Sequence, residues 1–232
     1  MYFNRKSSDR GFRDHGWLQT YHTFSFGDYD DSQWRMFGSL RVLNEDFIQP
    51  GRGFGTHPHR DMEILTYVIS GLLEHKDSMG NGTQIKPREM QYMSAGSSVL
   101  HSEFNPSPRS PVHLLQIWII PKVKGLEPRY DQITLQEENG LHLVAVPEEN
   151  EGQGVIKLRA DAWVYEGRLL ASEDVVYKPK GTHQWLHMVE GKITLSDHIL
   201  DQEDSLGIHE ELALEISALE ESTFLLFDMK EA

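Results

Sequence analysis

Two short segments of this sequence hold side chains suited to binding a metal ion. One runs GRGFGTHPHRDME from Gly51 to Glu63 and carries His57 and His59. The other runs SAGSSVLHSEFN from Ser94 to Asn105 and carries His101 and Glu103. In extended backbone the side chains at i and i+2 point to the same face, so each pair projects together. If two neighbouring strands carry the pairs, three imidazoles and one carboxylate converge. Such a set suits a first-row transition metal and leaves positions for water, substrate or O₂. Pro58 cannot donate to a ladder, which puts the first pair at a strand end or edge. Gly51, Gly53 and Gly55 suit a close approach of backbone to that strand. A single H-x-H says little. Two same-face pairs, each beside a glycine-rich turn, point to a metal site.

The elements that must position these pairs read as β. Apolar or alternating runs recur at Leu40–Leu43, Ile64–Ile69, Gln91–Met93, His113–Ile120, His142–Val146, Trp185–Val189, Lys192–Leu195, Leu212–Ile216 and Thr223–Phe227. Turn residues at Pro50-Gly51, Ser70-Gly71, Gly80-Asn81-Gly82, Ala95-Gly96 and Glu190-Gly191 separate them. Many short strands at this spacing predict a sandwich or barrel. No stretch has a sustained 3.6-residue period, so at most one or two short helices are expected, near the acidic segments. The stretch from Pro121 to Gly154 mixes Pro, Gly and acidic residues and predicts a boundary near Asn139, giving domains over 1–138 and 139–232. ILTYVISG, ending at Gly71, resembles QWLHMVEG, ending at Gly191, which suggests two similar halves.

Composition narrows the chemistry. With 232 residues the chain is long enough for one large or two smaller cored domains. Its formal charge of −14 argues against general affinity for nucleic acid. There is no cysteine, so disulfides and thiolate ligands are excluded, while 12 histidines remain to build a site. The apolar run between His113 and Pro121 is far shorter than the roughly 20 residues of a membrane span. The first residues lack the apolar core of a signal peptide, so a cytoplasmic protein without a membrane partner is expected.

The same segments resemble the cupin motifs in the form found in the pirin family. Gly51, His57, His59 and Glu63 follow the first motif, with Gly71 one position later than its common place. Gly96, His101 and Asn105 follow the second, with Ser94 where a proline is usual. GWLQTYHTFSFGDY near the start and FLLFDM near the end extend the likeness over most of the chain, and it is greatest to bacterial pirin-like quercetin 2,3-dioxygenases. The resemblance implies an all-β bicupin of two antiparallel jelly-roll barrels. It implies one divalent metal held by His57, His59, His101 and Glu103. Fe(II) is favoured within a donor set that also suits Mn, Co, Ni, Cu or Zn. It further implies that the protein opens the flavonol ring of quercetin with O₂ and releases carbon monoxide, with Glu103 also the catalytic base. Glu63 is then structural, since pirins do not use it as a ligand.

In the second half, alignment of Gly191 with Gly71 puts Tyr177 and Pro179 at the two histidine positions and His183 at that of Glu63. This half is expected to be a degenerate cupin without metal that braces the first. His209 and Glu211 form an unpaired H-x-E, and His183 and His187 are expected to be structural or exposed. His75 and His113 lie on predicted strands, where each either faces the pocket or is a satisfied barrel histidine. Trp34, Phe54, Tyr67, Met93, Phe104 and Trp118 are candidate cavity-lining side chains. Two other functions stay open at this point. One is a pirin-type regulatory binder, whose metal shapes a surface for a protein partner. The other is a cupin acting on a different small metabolite.

Overall fold

The computed structural model describes residues 1–230; the last two residues of the expected second domain lie outside them. The first half of the chain contributes β1 (Tyr2–Arg5), β2 (Gly11–Asp14), β3 (Leu18–His22), β4 (Leu40–Ile48), β5 (Gly53–His59), β6 (Glu63–Ser70), β7 (Leu73–Asp77), β8 (Gly82–Ile85), β9 (Glu89–Ser94), β10 (Val99–Phe104), β11 (Val112–Ile119) and β12 (Arg129–Thr134). The second contributes β13 (Gly140–Pro147), β14 (Ile156–Leu158), β15 (Ala162–Leu169), β16 (Asp174–Tyr177), β17 (His183–Glu190), β18 (Ile193–Leu195), β19 (His198–Leu200), β20 (Ser205–His209), β21 (Leu214–Ala218) and β22 (Ser222–Met229).

Each half is a two-sheet jelly roll, as the bicupin expectation requires. The first pairs the seven-stranded sheet β12-β9-β6-β11-β4-β3-β2 with the four-stranded sheet β5-β10-β7-β8. The second pairs β1-β20-β17-β22-β15-β13-β14 with β16-β21-β18-β19. The two large sheets pack on each other. That explains why their central strands read as continuous apolar runs: both faces are covered. On β22, Phe224 and Leu226 face the core of their own half, while Leu225 and Phe227 face the shared core. The shared core takes Leu43, Leu65, Leu115 and Ile117 from the first half and Val164, Trp185 and Phe227 from the second.

Two expectations need correction. β1 does not belong to the first half: it pairs antiparallel with β20, Tyr2 opposite Ile208. The Met1 amine reinforces this by donating to the His209 carbonyl at 2.8 Å and to Glu211 at 3.0 Å. A four-residue strand with no apolar alternation offers no periodicity from which to read this. The short helices near the acidic segments are also absent. Among the described residues the one helical element is a 3₁₀ turn at Ser7–Asp9. Residues 135–139 and 148–155 are turns and irregular chain, having no apolar stripe that a helix could bury.

Buried polar links cross between the halves. Tyr67 donates to Glu166 at 2.8 Å, and Arg10 bridges Glu45 at 2.7 Å and Glu203 at 2.9 Å. His187 is buried beside them and shares a 2.8 Å hydrogen bond with the Ser205 hydroxyl. Burial, then the charge of Arg10, holds its pKa at about 3. The unfolded chain therefore binds a proton at His187 below pH ~6.5 that the folded chain refuses until about pH 3. Stability should fall by about 1.4 kcal/mol per pH unit through that window from this group alone. His187→Leu should flatten that part of the acid limb in urea unfolding measured at pH 7, 6 and 5. An unchanged slope would refute the assignment.

Candidate metal centre

β5 and β10 are neighbours, with His57 opposite His101 and Val99 opposite His59. Between His101 and Glu103 the register slips, because Glu103 lies opposite Phe54; β5 uses one residue more than β10, a β-bulge. Gly53 is required here, since a Cβ on it would lie 2.2 Å from the Glu103 carbonyl. Gly96 turns the chain into β10 with φ +47°, and a Cβ there would meet the Leu126 carbonyl at 2.1 Å. Gly51 serves by its positive φ of 65°, whereas Gly55 meets neither constraint.

The three imidazoles come together, and Glu103 groups with His101 and His75 in the same region. The imidazoles of His57, His59 and His101 form a triangle with ring centroids 4.4 to 4.8 Å apart. The Nε2 atoms of His57 and His101 are 3.0 Å apart. Two nitrogens bound at right angles to one ion, each at about 2.1 Å, also stand about 3 Å apart. Glu103, 3% exposed, follows on the same face of β10. The Gln116 amide donates to both its oxygens at 2.9 Å and the Thr66 hydroxyl to one at 3.3 Å.

Hydrogen bonds fix the imidazole tautomers. His57 Nδ1 must donate to the Gly55 carbonyl, 2.8 Å away, which leaves Nε2 with its lone pair. His75 Nε2 donates to the Asp77 carboxylate at 3.2 Å, so His75 Nδ1 accepts from His101 Nδ1 at 3.5 Å. His101 Nε2 is then also a bare lone pair. Two lone pairs facing at 3.0 Å repel unless a cation joins them, so the donor set fits a divalent metal. Burial and neighbouring imidazoles hold His101 at a pKa of about 3 and His59 at about 4, so protons do not compete near neutrality.

His75 does not line the cavity. It lies fully buried behind His101 and stacks on Tyr130. From there it can orient the His101 ring, and a partner that orients a metal-binding imidazole is worth about 10- to 100-fold in metal affinity. His75→Ala should weaken competition against a chelator about tenfold, with the fold intact by circular dichroism. Equal affinity would leave His75 a mere packing residue. His113 also faces away, donating to Glu45 at 2.6 Å and stacking on Phe47. Glu63 lies outside the centre, accepting from Tyr92, from Ser94 at 2.6 Å and from the Arg159 amide at 2.9 Å.

The cluster opens on a cavity of about 560 Å³ between the two sheets of the first half. Phe54 and Trp118 line it as expected. Trp34 and Tyr67 pack at the shared core, Met93 is buried in a separate small cluster, and Phe104 points to solvent. Sequence reasoning missed Trp17, His22, Asn44, Asp46 and Gln116 in the lining. The alternation of Asn44 and Asp46 in an apolar strand was the available sign, but the expected strand stopped at Leu43.

In the second half Tyr177 donates to Asp228 at 2.7 Å, and Glu211 is engaged by the Met1 amine. The rings of His183 and His209 meet tilted, with centroids 4.5 Å apart, at a cleft beside Phe3 and Trp34. Among the described residues, the groups of three or more side chains able to hold a metal all lie in the first half. No helix among them is long and apolar enough to cross a membrane.

Two family models match the chain. Residues 4–119 match the Pirin family model, and 143–229 match that of the quercetinase C-terminal cupin domain. A quercetin 2,3-dioxygenase of Escherichia coli is 44% identical over 99% of both chains. A pirin-like protein of Caulobacter vibrioides is 35% identical over 97% of this chain and 98% of its own. The crystal structure of the bacterial pirin YhhW from Escherichia coli in complex with nickel(II) superposes with a TM-score of 0.95, at 42% identity over 100% of both chains.

Proposed function

Because the chain belongs to the pirin family of metal-binding bicupins, we propose that it is a quercetin 2,3-dioxygenase-like enzyme, which opens the flavonol ring with O₂ and releases carbon monoxide. The observation that carries this reading is the group of His57, His59 and His101, with Glu103 lining the same cavity of about 560 Å³, within the range of small-molecule sites. A closed pocket would have favoured a regulatory binder instead.

In this reading the three imidazoles and Glu103 hold one divalent ion, with Fe(II) the favoured metal. When bound, that ion supplies Lewis acidity toward the acidic 3-hydroxyl of a flavonol. Glu103 takes the hydroxyl proton; hydrogen bonds from Gln116 and Thr66 hold its carboxyl group in place. Trp17, Phe54 and Trp118 flank the cavity and present flat apolar surface to an aromatic ring while excluding water. The first half carries the chemistry, and the second, from residue 139, braces it through the shared core.

The test is oxygen-dependent loss of quercetin by the Fe(II)-reconstituted protein, with carbon monoxide measured in parallel. Free Fe(II) and His101→Ala serve as controls. Turnover with carbon monoxide, lost in the variant, is the expected result. Bound metal without turnover would refute the flavonol reading.

A further inference from the structure

Among the described residues the second half has no group of three metal donors, yet it holds a pair of imidazoles built like one in the first half. His183 on β17 and His209 on β20 stand directly opposite each other. Residues so paired present their side chains to one face of the sheet, about 5 Å apart at Cβ. The two rings meet with centroids 4.5 Å apart and planes at 54°. His57 and His101, opposite each other on β5 and β10, have centroids 4.4 Å apart and planes also at 54°. The two pairs share one local geometry in different sheets.

The second pair faces open space. Both histidines line a cleft of about 590 Å³, together with Gln33, Trp34, Met36 and Phe37 from the first half. His183 is half-buried, and the His209 side chain is 32% exposed, so an ion can reach both from solvent. No lysine or arginine is among the lining residues to repel a cation. The Glu210 carboxylate stands 3.9 Å from His209 Nδ1. The rings are also held in place. The Thr182 hydroxyl lies 3.0 Å from His183 Nδ1, the part that the Gly55 carbonyl plays for His57. Phe37 meets the His183 ring edge-on at 5.5 Å, and Gly38 passes so close that a Cβ on it would lie 3.1 Å from that of His183.

We propose that His183 and His209 form a second transition-metal site, in the cleft between the halves, for an ion that prefers imidazole: Ni(II), Cu(II) or Zn(II). Two protein donors leave the remaining coordination positions to water or a small external ligand. Such a pair holds its ion less tightly than three imidazoles and a carboxylate, so this ion exchanges with solvent and is lost on dialysis. The site is independent of the flavonol chemistry of the first half.

The test is isothermal titration calorimetry, with further Ni(II), of untagged protein that already carries one Ni(II) ion. A second, weaker binding event is expected for wild type. It should persist as the sole event in His57→Ala/His101→Ala protein, and be lost in His183→Gln and in His209→Gln. Both single variants should keep the first ion, which also reports that they fold. A second measurement needs no variant. Ni(II) should slow the modification of His183 and His209 by diethyl pyrocarbonate in wild type, read by peptide mass spectrometry. Four results would each overturn the second site while leaving the first centre standing: no second event in wild type, its disappearance from the His57→Ala/His101→Ala protein, its persistence in either single variant, or modification of the two histidines at rates that Ni(II) does not change.

Discussion

Replacing His57 and His101 together by alanine should reduce bound metal from one ion per chain to background, as read by inductively coupled plasma mass spectrometry after dialysis. The two Nε2 atoms 3.0 Å apart are the closest pair of donors in the cluster, and their hydrogen bonds leave both lone pairs facing each other. Without them His59 and Glu103 remain, too few to hold a divalent ion against a chelator. Carbon monoxide release from quercetin should fall with the metal to the level of the free ion. The fold should survive, because both side chains border the cavity and neither belongs to an apolar cluster. Stoichiometric metal in the double variant would overturn the assigned centre.

Glu63→Ala should do the reverse: a large loss of stability and no loss of metal. Its carboxylate is 1% exposed and gathers the hydroxyls of Tyr92 and Ser94 and the backbone amide of Arg159. The last of these comes from the second half, so the residue ties the halves together. Removing it strands three buried donors, each worth about 1–3 kcal/mol, so the loss is at least about 3 kcal/mol. For a chain of this size that lowers Tm by about 10 °C. Differential scanning calorimetry and metal analysis on the same sample decide the matter. Loss of metal with an unchanged Tm would make Glu63 a ligand, as in other cupins, and refute the structural role argued here.

The sequence by itself determined the class of fold and the four candidate ligands. Strands leave a direct imprint, because the pleat sends alternate side chains to opposite faces. His57 with His59, and His101 with Glu103, are therefore legible as pairs before any neighbour is known. The central strands were legible too, since burial on both faces forces unbroken apolar runs such as Ile64–Ile69. Tertiary structure alone decided which strands became neighbours. That step put β1 into the far sheet and set His75 behind His101, while His113 turned away toward Glu45. It also brought Asn44, Asp46 and Gln116 into the cavity from strands distant in sequence from the motifs. The physical reason is that period and composition encode the face a side chain takes within its own strand. The partner across a sheet or between sheets depends on long-range pairing and packing, which leave no local pattern to read.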